Sequence, residues 1–209
     1  MTKPALLQAI TLGCIRQSKA LFAPVSFVLQ AGGALLVEGP NGAGKSSLLR
    51  LLASVATPAT GTILWHGHTI QQTPIEYSEQ LHYLGHTNGI RLGLTVAENI
   101  QLAGELSEQP VTNIDLTLSL LNLASYKHTQ AQFLSAGQRR RVALARVFLI
   151  PRTLWILDEP LTSLDMKTQK ILLGKIASHL KEGGACILTS HQSVAFEDLH
   201  LQTLALQAC

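Results

Sequence analysis

Three stretches of this sequence have residue types and spacing suited to handling a polyphosphate. The first is Gly39-Pro40-Asn41-Gly42-Ala43-Gly44-Lys45-Ser46. It fits G-x-x-x-x-G-K-[ST], the P-loop pattern. Glycines let the backbone curl closely around anionic oxygens. Amides then point inward, and the N-terminus of a following helix adds partial positive charge. In this pattern Lys45 reaches the outer phosphates and the Ser46 hydroxyl holds Mg²⁺, with Ser47 next in line. The second stretch is Asp158-Glu159, which closes the apolar run Leu154-Trp155-Ile156-Leu157. Asp158 suits a magnesium-binding role, and Glu159 suits orienting and deprotonating a water. The third is Ser135-Ala136-Gly137-Gln138. A serine and a glycine amide at a helix start can bind a phosphate; the same residues also read as a plain helix cap.

These groups need elements that bring them together. Ala34-Leu35-Leu36-Val37 reads as a buried parallel strand entering the P-loop, and residues 47–53 read as the helix leaving it. Strands are also expected over 4–12, 25–29, 62–65, 81–85, 153–157 and 187–190. A strand buried on both faces delivers Asp158 at its C-terminal edge, beside the P-loop. Between about residues 95 and 149 the pattern turns helical, over 96–100, 114–123 and 138–149. His66-Gly67-His68 reads as a turn, since nothing nearby completes a metal-ligand set.

Composition narrows the class. Hydrophobic residues make up 46% of the 209, ample for a core, while charged residues make up 14%, low enough that a partner is expected to cover part of the surface. The net charge of +3 is too small to argue for nucleic acid. Cys14, Cys186 and Cys209 follow no metal or pairing pattern, which suits a reducing compartment. Met1-Thr2-Lys3-Pro4 does not open a secretory leader. No run reaches the roughly 18 apolar residues of a membrane span. The nearest, 142–157, is broken by Arg146, Pro151 and Arg152.

Leu134-Ser135-Ala136-Gly137-Gln138, lying between the P-loop and Asp158, resembles the signature of the ATP-binding cassette (ABC) ATPases, with Ala136 where glycine is usual. That resemblance implies an α/β P-loop NTPase with a RecA-like mixed sheet, an antiparallel β edge and an inserted α-helical subdomain. It places the nucleotide-binding lobe at 1–85 and 151–209 and the helical lobe at 86–150. It further implies ATP and Mg²⁺ as ligands and a homodimer in which Ser135 to Gln138 of one chain meet the phosphates held by the other. Ser163-Leu164-Asp165 is similar to the loop that crosses that dimer, and His191 to the histidine that contacts the γ-phosphate. With 18 residues after His191, no appended regulatory domain is expected. Such proteins often stack an aromatic on adenine some twenty residues before the P-loop; 13–20 contain none. Arg16 lies near that position, and its guanidinium either stacks on the base or is simply solvated. Phe22 is a second candidate, or a core residue. His86 occupies the place of a usual glutamine at the junction of the lobes. It either partners Mg²⁺ or the attacking water, or packs and transmits lobe motion.

Leu84-Gly85-His86, Gly89-Ile90, Leu94-Thr95 and Glu98-Asn99 narrow the resemblance, together with Glu38, Ala136, Trp155 and Thr189-Ser190-His191-Gln192. They resemble the ATP-binding subunit of the haem exporter of cytochrome c biogenesis. The resemblance runs from Leu21 to Gln192. It implies an integral membrane permease of the cytochrome c maturation system as partner, and a peripheral position on the cytoplasmic face of a bacterial inner membrane. No axial-ligand pattern in this chain suits haem, so direct haem binding is not expected. The alternatives are the ATPase of another small-molecule exporter, a soluble cassette protein of cofactor assembly, and a nucleotide kinase.

Overall fold

The computed structural model describes residues 5–190, 199 and 201–207. In chain order the elements are β1 (Ala5–Gly13), β2 (Ile15–Arg16), β3 (Lys19–Ala20), β4 (Val25–Gln30), β5 (Ala34–Glu38), α1 (Lys45–Leu52), β6 (Thr60–Trp65), β7 (His68–Thr69), α2 (Pro74–Glu79), β8 (Leu81–Leu84), α3 (Val96–Leu106), α4 (Ile114–Leu120), α5 (Ala136–Leu149), β9 (Leu154–Leu157), α6 (Met166–Lys181), β10 (Ala185–Thr189) and β11 (Leu201–Ala205). They form two compact units. One comprises the described parts of 1–83, 153–160 and 176–209; the other comprises 84–152 and 161–175. The sequence reading puts 161–175 in the nucleotide-binding lobe, whereas these residues cluster with the helical segment.

The first unit holds two large sheets and the two-stranded β2-β3 hairpin. An antiparallel sheet runs β4-β1-β6-β7, and a second runs β11-β5-β10-β9-β8. In the latter the β11–β5, β5–β10 and β10–β9 pairings are parallel. Every residue of β9 and β10 is buried, as expected of strands covered on both faces. In β4, Ser26 and Val28 are exposed while Val25 and Phe27 are half-buried and Leu29 is buried, so a period of two holds the strand on its sheet. One apolar core joins both sheets through Leu7, Leu29, Leu48, Leu52, Ile63 and Ile187. Tyr77 of α2 is buried in it and donates its hydroxyl to the Leu52 carbonyl; burial pushes its phenol pKa upward. The His66-Gly67 turn between β6 and β7 has positive φ at both residues (48° and 83°), the geometry that a two-residue hairpin needs.

The second unit is pinned by polar side chains. Thr95 and Glu98 form a capping box on α3. Asn99 is 4% exposed and donates to the carbonyls of Arg91, Leu94 and Thr95 while accepting from the Arg91 amide. The arginines of α5 serve the loops around it. They tie these loops down: Arg139 donates to the Ala131 and Gln132 carbonyls, Arg140 to Gly85 and Asn88, Arg141 to Leu121, and Arg146 to Gly89.

In the first unit His179 stacks on Trp155, with centroids 4.1 Å apart and planes 9° apart. Its Nε2 faces the Ala185 carbonyl at 3.3 Å, and a Cβ on Gly184 would lie 2.2 Å from the ring, so glycine there lets the imidazole close in. Desolvation lowers the His179 pKa, against smaller raising effects from the Ala185 and Thr153 carbonyls and from Glu182. The folded state thus favours neutral imidazole, and the unfolded chain binds more protons. Stability from this residue is complete above the unfolded value of about 6.5 and is lost as pH falls through the lowered folded value. Urea midpoints measured between neutral and mildly acidic pH are expected to fall for the wild type and to fall less steeply for His179→Gln. Parallel slopes would contradict this role for His179.

Candidate functional site

The P-loop leaves β5 and enters α1. Gly39, Gly42 and Gly44 have φ of 148°, 82° and 92°, so the loop needs glycine at each bend. Space restricts two of them further. A Cβ on Gly39 would lie 2.7 Å from the Leu206 carbonyl oxygen, and one on Gly44 would lie 2.6 Å from the Phe22 ring. Around Gly42 there is open space, and Pro40, Asn41 and Gly42 are exposed while Ala43 is buried. Gly44 caps α1 without a side-chain hydrogen bond, and the first turn contains no acidic residue. The opening amides of α1 therefore lack the side-chain acceptor that most helices supply. Ser46 and Ser47 are half-buried in that first turn.

Lys45 is 6% exposed, and its ammonium donates to the Gly39 carbonyl at 2.7 Å and the Pro40 carbonyl at 3.1 Å. Among the described residues no carboxylate pairs with it. A buried cation solvated only by neutral dipoles is costly, and an arriving anion removes that cost. This loop consequently fits a polyphosphate.

The acids stand at the same sheet edge. β10 lies between β5 and β9, with Thr189 opposite Val37 and Leu188 opposite Leu157. Two strand spacings of about 4.8 Å thus separate the end of β5 from the end of β9, roughly 10 Å in all. Asp158 is 1% exposed. Its Oδ1 accepts a hydrogen bond from the Thr189 hydroxyl at 2.7 Å, and the same hydroxyl accepts from the Glu159 amide at 2.8 Å. Glu159 is half-buried, with φ of 45°. Tyr83 of β8 feels Asp158: burial first, then the Asp158 charge, raises its phenol pKa, with Arg50 opposing.

Arg16 is exposed on the β2–β3 hairpin, opposite Lys19. Phe22 is 1% exposed and packs behind Gly44, so it is a core residue and not a base platform. Leu21 also abuts Gly44, which sets the hairpin next to the loop in this unit.

The second unit carries the other candidates. Ser135 caps α5: its hydroxyl accepts from the Gln138 amide at 3.2 Å, and Gln138 accepts from the Ser135 amide at 2.7 Å. The Ser135 hydroxyl keeps its own proton to donate. Ala136 is exposed, so its methyl meets no obstacle, but a Cβ on Gly137 would lie 2.8 Å from the Ser163 carbonyl oxygen. Glycine is thus required at 137 and dispensable at 136. Asp165 caps α6 by accepting from the Thr168 amide at 2.8 Å, which holds its carboxyl below the usual range. His86 is exposed at the start of this unit. His191 lies outside the described residues. Thr189 escaped the sequence reading as a site residue; it entered there only through the resemblance carried by Thr189 to Gln192 and as a hydroxyl in an otherwise apolar strand.

Among the described residues no group of three His, Cys, Asp or Glu side chains is placed to hold a metal ion, and no helix is long and apolar enough to cross a membrane.

Comparison with known proteins gives a consistent picture. Residues 22–162 match the family model described as ABC transporter. The cytochrome c biogenesis ATP-binding export protein CcmA of Nitrosospira multiformis is 41% identical over 207 residues, covering 96% of this chain and 98% of that protein. The protein of the same name from Nitrosomonas europaea is 40% identical over 206 residues, covering 96% and 95%. A solved structure of the ATP-binding subunit of an ABC transporter superposes with a TM-score of 0.89 at 24% identity, over 97% of this chain and 86% of that one, and supports the fold.

Lys45→Ala is expected to weaken ATP binding and abolish hydrolysis, because the loop loses its buried counter-charge. Equilibrium binding and phosphate release measured on the full chain check this; wild-type values for both would remove the P-loop from the site.

Proposed function

This chain belongs to the ABC transporter family of ATPases, and on that premise we propose that it is the ATP-hydrolysing subunit of a membrane export complex serving c-type cytochrome biogenesis, of the haem-exporter type. It binds ATP and couples hydrolysis to its partner. The observation that carries the chemistry is the Lys45 ammonium, buried with carbonyl partners only and set at the sheet edge where Asp158 and Glu159 emerge.

The P-loop amides and Lys45 hold the triphosphate of the substrate. Ser46 and Asp158 offer an all-oxygen donor set, which fits Mg²⁺. Mg²⁺, when bound, neutralises charge on the phosphate oxygens. Glu159 takes the proton of the attacking water. Arg16 supports the base by stacking. Ser135, the Gly137 amide and Gln138 serve the nucleotide of a second copy across a homodimer, with Asp165 near the crossing. His86 and His191 act as partners of the water or the γ-phosphate. In this reading 1–85 with 151–209 is the nucleotide lobe and 86–150 the helical lobe.

The proposed location is peripheral, on the cytoplasmic face of a bacterial inner membrane, against an integral partner. A groove of about 300 Å³ in the second unit supports this docking. Ile90, Leu102 and Leu106 give it apolar walls, Arg91 and Arg146 give it positive charge, and no acid lines it. It suits an apolar segment bearing a carboxylate.

Glu159→Gln is expected to bind ATP normally, to slow hydrolysis by roughly 10²–10⁴, and to accumulate an ATP-bound dimer. Turnover assays and sizing of the nucleotide-bound protein check this; a variant that stays monomeric and hydrolyses at the wild-type rate contradicts the base assignment. Leu106 is 77% exposed, so Leu106→Asp is tolerated by the fold. In cells it is expected to shift the chain from the membrane to the soluble fraction while ATP binding holds. An unchanged membrane fraction would rule out this groove.

A further inference from the structure

Thr189 is fully buried at the end of β10, and its hydroxyl sits between the two acids. It donates to Asp158 Oδ1 at 2.7 Å and accepts from the Glu159 amide at 2.8 Å. A hydroxyl carries one proton, so giving it to Asp158 leaves the oxygen lone pairs for the Glu159 amide. One small group thus fixes the carboxylate of one acid and the backbone of the next.

The backbone it holds is strained. Glu159 has φ of 45°, a left-handed conformation that residues with a side chain rarely adopt and that persists only where surrounding structure over-determines it. Pro160 follows directly and is itself buried, so the chain leaves this turn along a constrained path. In Thr189 this constraint has a named source. The parallel register sets Leu188 against Leu157, which brings the next residue of each strand to the same edge.

We propose that Thr189 is a positioning residue for ATP hydrolysis: its hydroxyl sets the Asp158 carboxylate and the left-handed turn at Glu159 in one geometry, so that magnesium-binding acid and general base are aligned together. This rests on the reading of Asp158 and Glu159 given above. Thr189 does not touch the substrate; it acts through its two neighbours. Because the P-loop on β5 holds the triphosphate without it, the loss falls on turnover and not on nucleotide affinity.

Two substitutions separate hydroxyl from packing. Thr189→Val keeps the branched shape that fills the buried site and removes the hydroxyl. Thr189→Ser keeps the hydroxyl and removes the methyl. In the full chain, kcat and KM for ATP are measured with the dissociation constant of a fluorescent ATP analogue and the thermal midpoint. Thr189→Val is expected to lower kcat about 10²-fold, the scale of a misplacement near 1 Å, with the dissociation constant within about twofold of wild type. Thr189→Ser is expected to recover most of that loss even where its thermal midpoint is the lower of the two. Wild-type kcat in Thr189→Val overturns the proposal. So does a kcat that follows the thermal midpoint across both variants, or a loss confined to nucleotide affinity. Glu159→Gln in the same assay keeps the premise distinct: if it turns over like wild type, the assignment of the acids fails. If it is inactive while Thr189→Val is normal, only the role of Thr189 fails.

Discussion

The parallel register of three strands is the constraint on which the site depends. β5, β10 and β9 run the same way, with Thr189 beside Val37 and Leu188 beside Leu157. Parallel strands end at one edge, so whatever follows each strand is delivered to the same place. After β5 comes a loop that needs glycine; after β9 come two acids; β10 between them ends in a hydroxyl that holds those acids. A slip of one residue in either pairing would turn side chains to the opposite face and separate these groups. Full burial of β9 and β10 makes such a slip expensive, which is how an apolar core specifies a polar site.

The polar groups divide into those satisfied by the fold and those satisfied only with a ligand. Asn99 and Arg139 spend their donors on loop carbonyls and need nothing further to explain their positions. Lys45 differs. It is as buried as Arg140, but its two partners belong to the loop that it follows, and that loop opens to solvent at Gly42. Its ammonium holds the loop in shape, and in the proposed function it exchanges those carbonyls for phosphate oxygens.

Much of this was legible in residue order. The P-loop demands particular residues at fixed spacing, and the acids close a wholly apolar run. The helix start at Ser135 announces itself through a capping box with Gln138. Strands β5 and β9 and the turn at His66-Gly67 follow from local pattern. Other features depend on partners distant in sequence. Thr189 meets Asp158 across 31 positions, and nothing in either neighbourhood announces the pairing. Arg140 reaches Gly85 across 55, a loop clamp that its own neighbourhood does not reveal. Short elements such as β2, β3 and β7 carry too few residues for a period to register. The inclusion of 161–175 in the second unit has the same origin: Gly137 approaches the Ser163 carbonyl so closely that a side chain is excluded, a contact that spacing does not reveal.

The most direct measurement is a high-resolution structure of the full chain with Mg²⁺ and a non-hydrolysable ATP analogue, read at a single atom, Lys45 Nζ. That nitrogen is expected to leave the Gly39 and Pro40 carbonyls for the outer phosphate oxygens, with the triphosphate wrapped by the amides from Gly42 to Ser46. A triphosphate bound elsewhere, with Nζ still on the two carbonyls, would contradict the assignment of this loop and of the chemistry built on it.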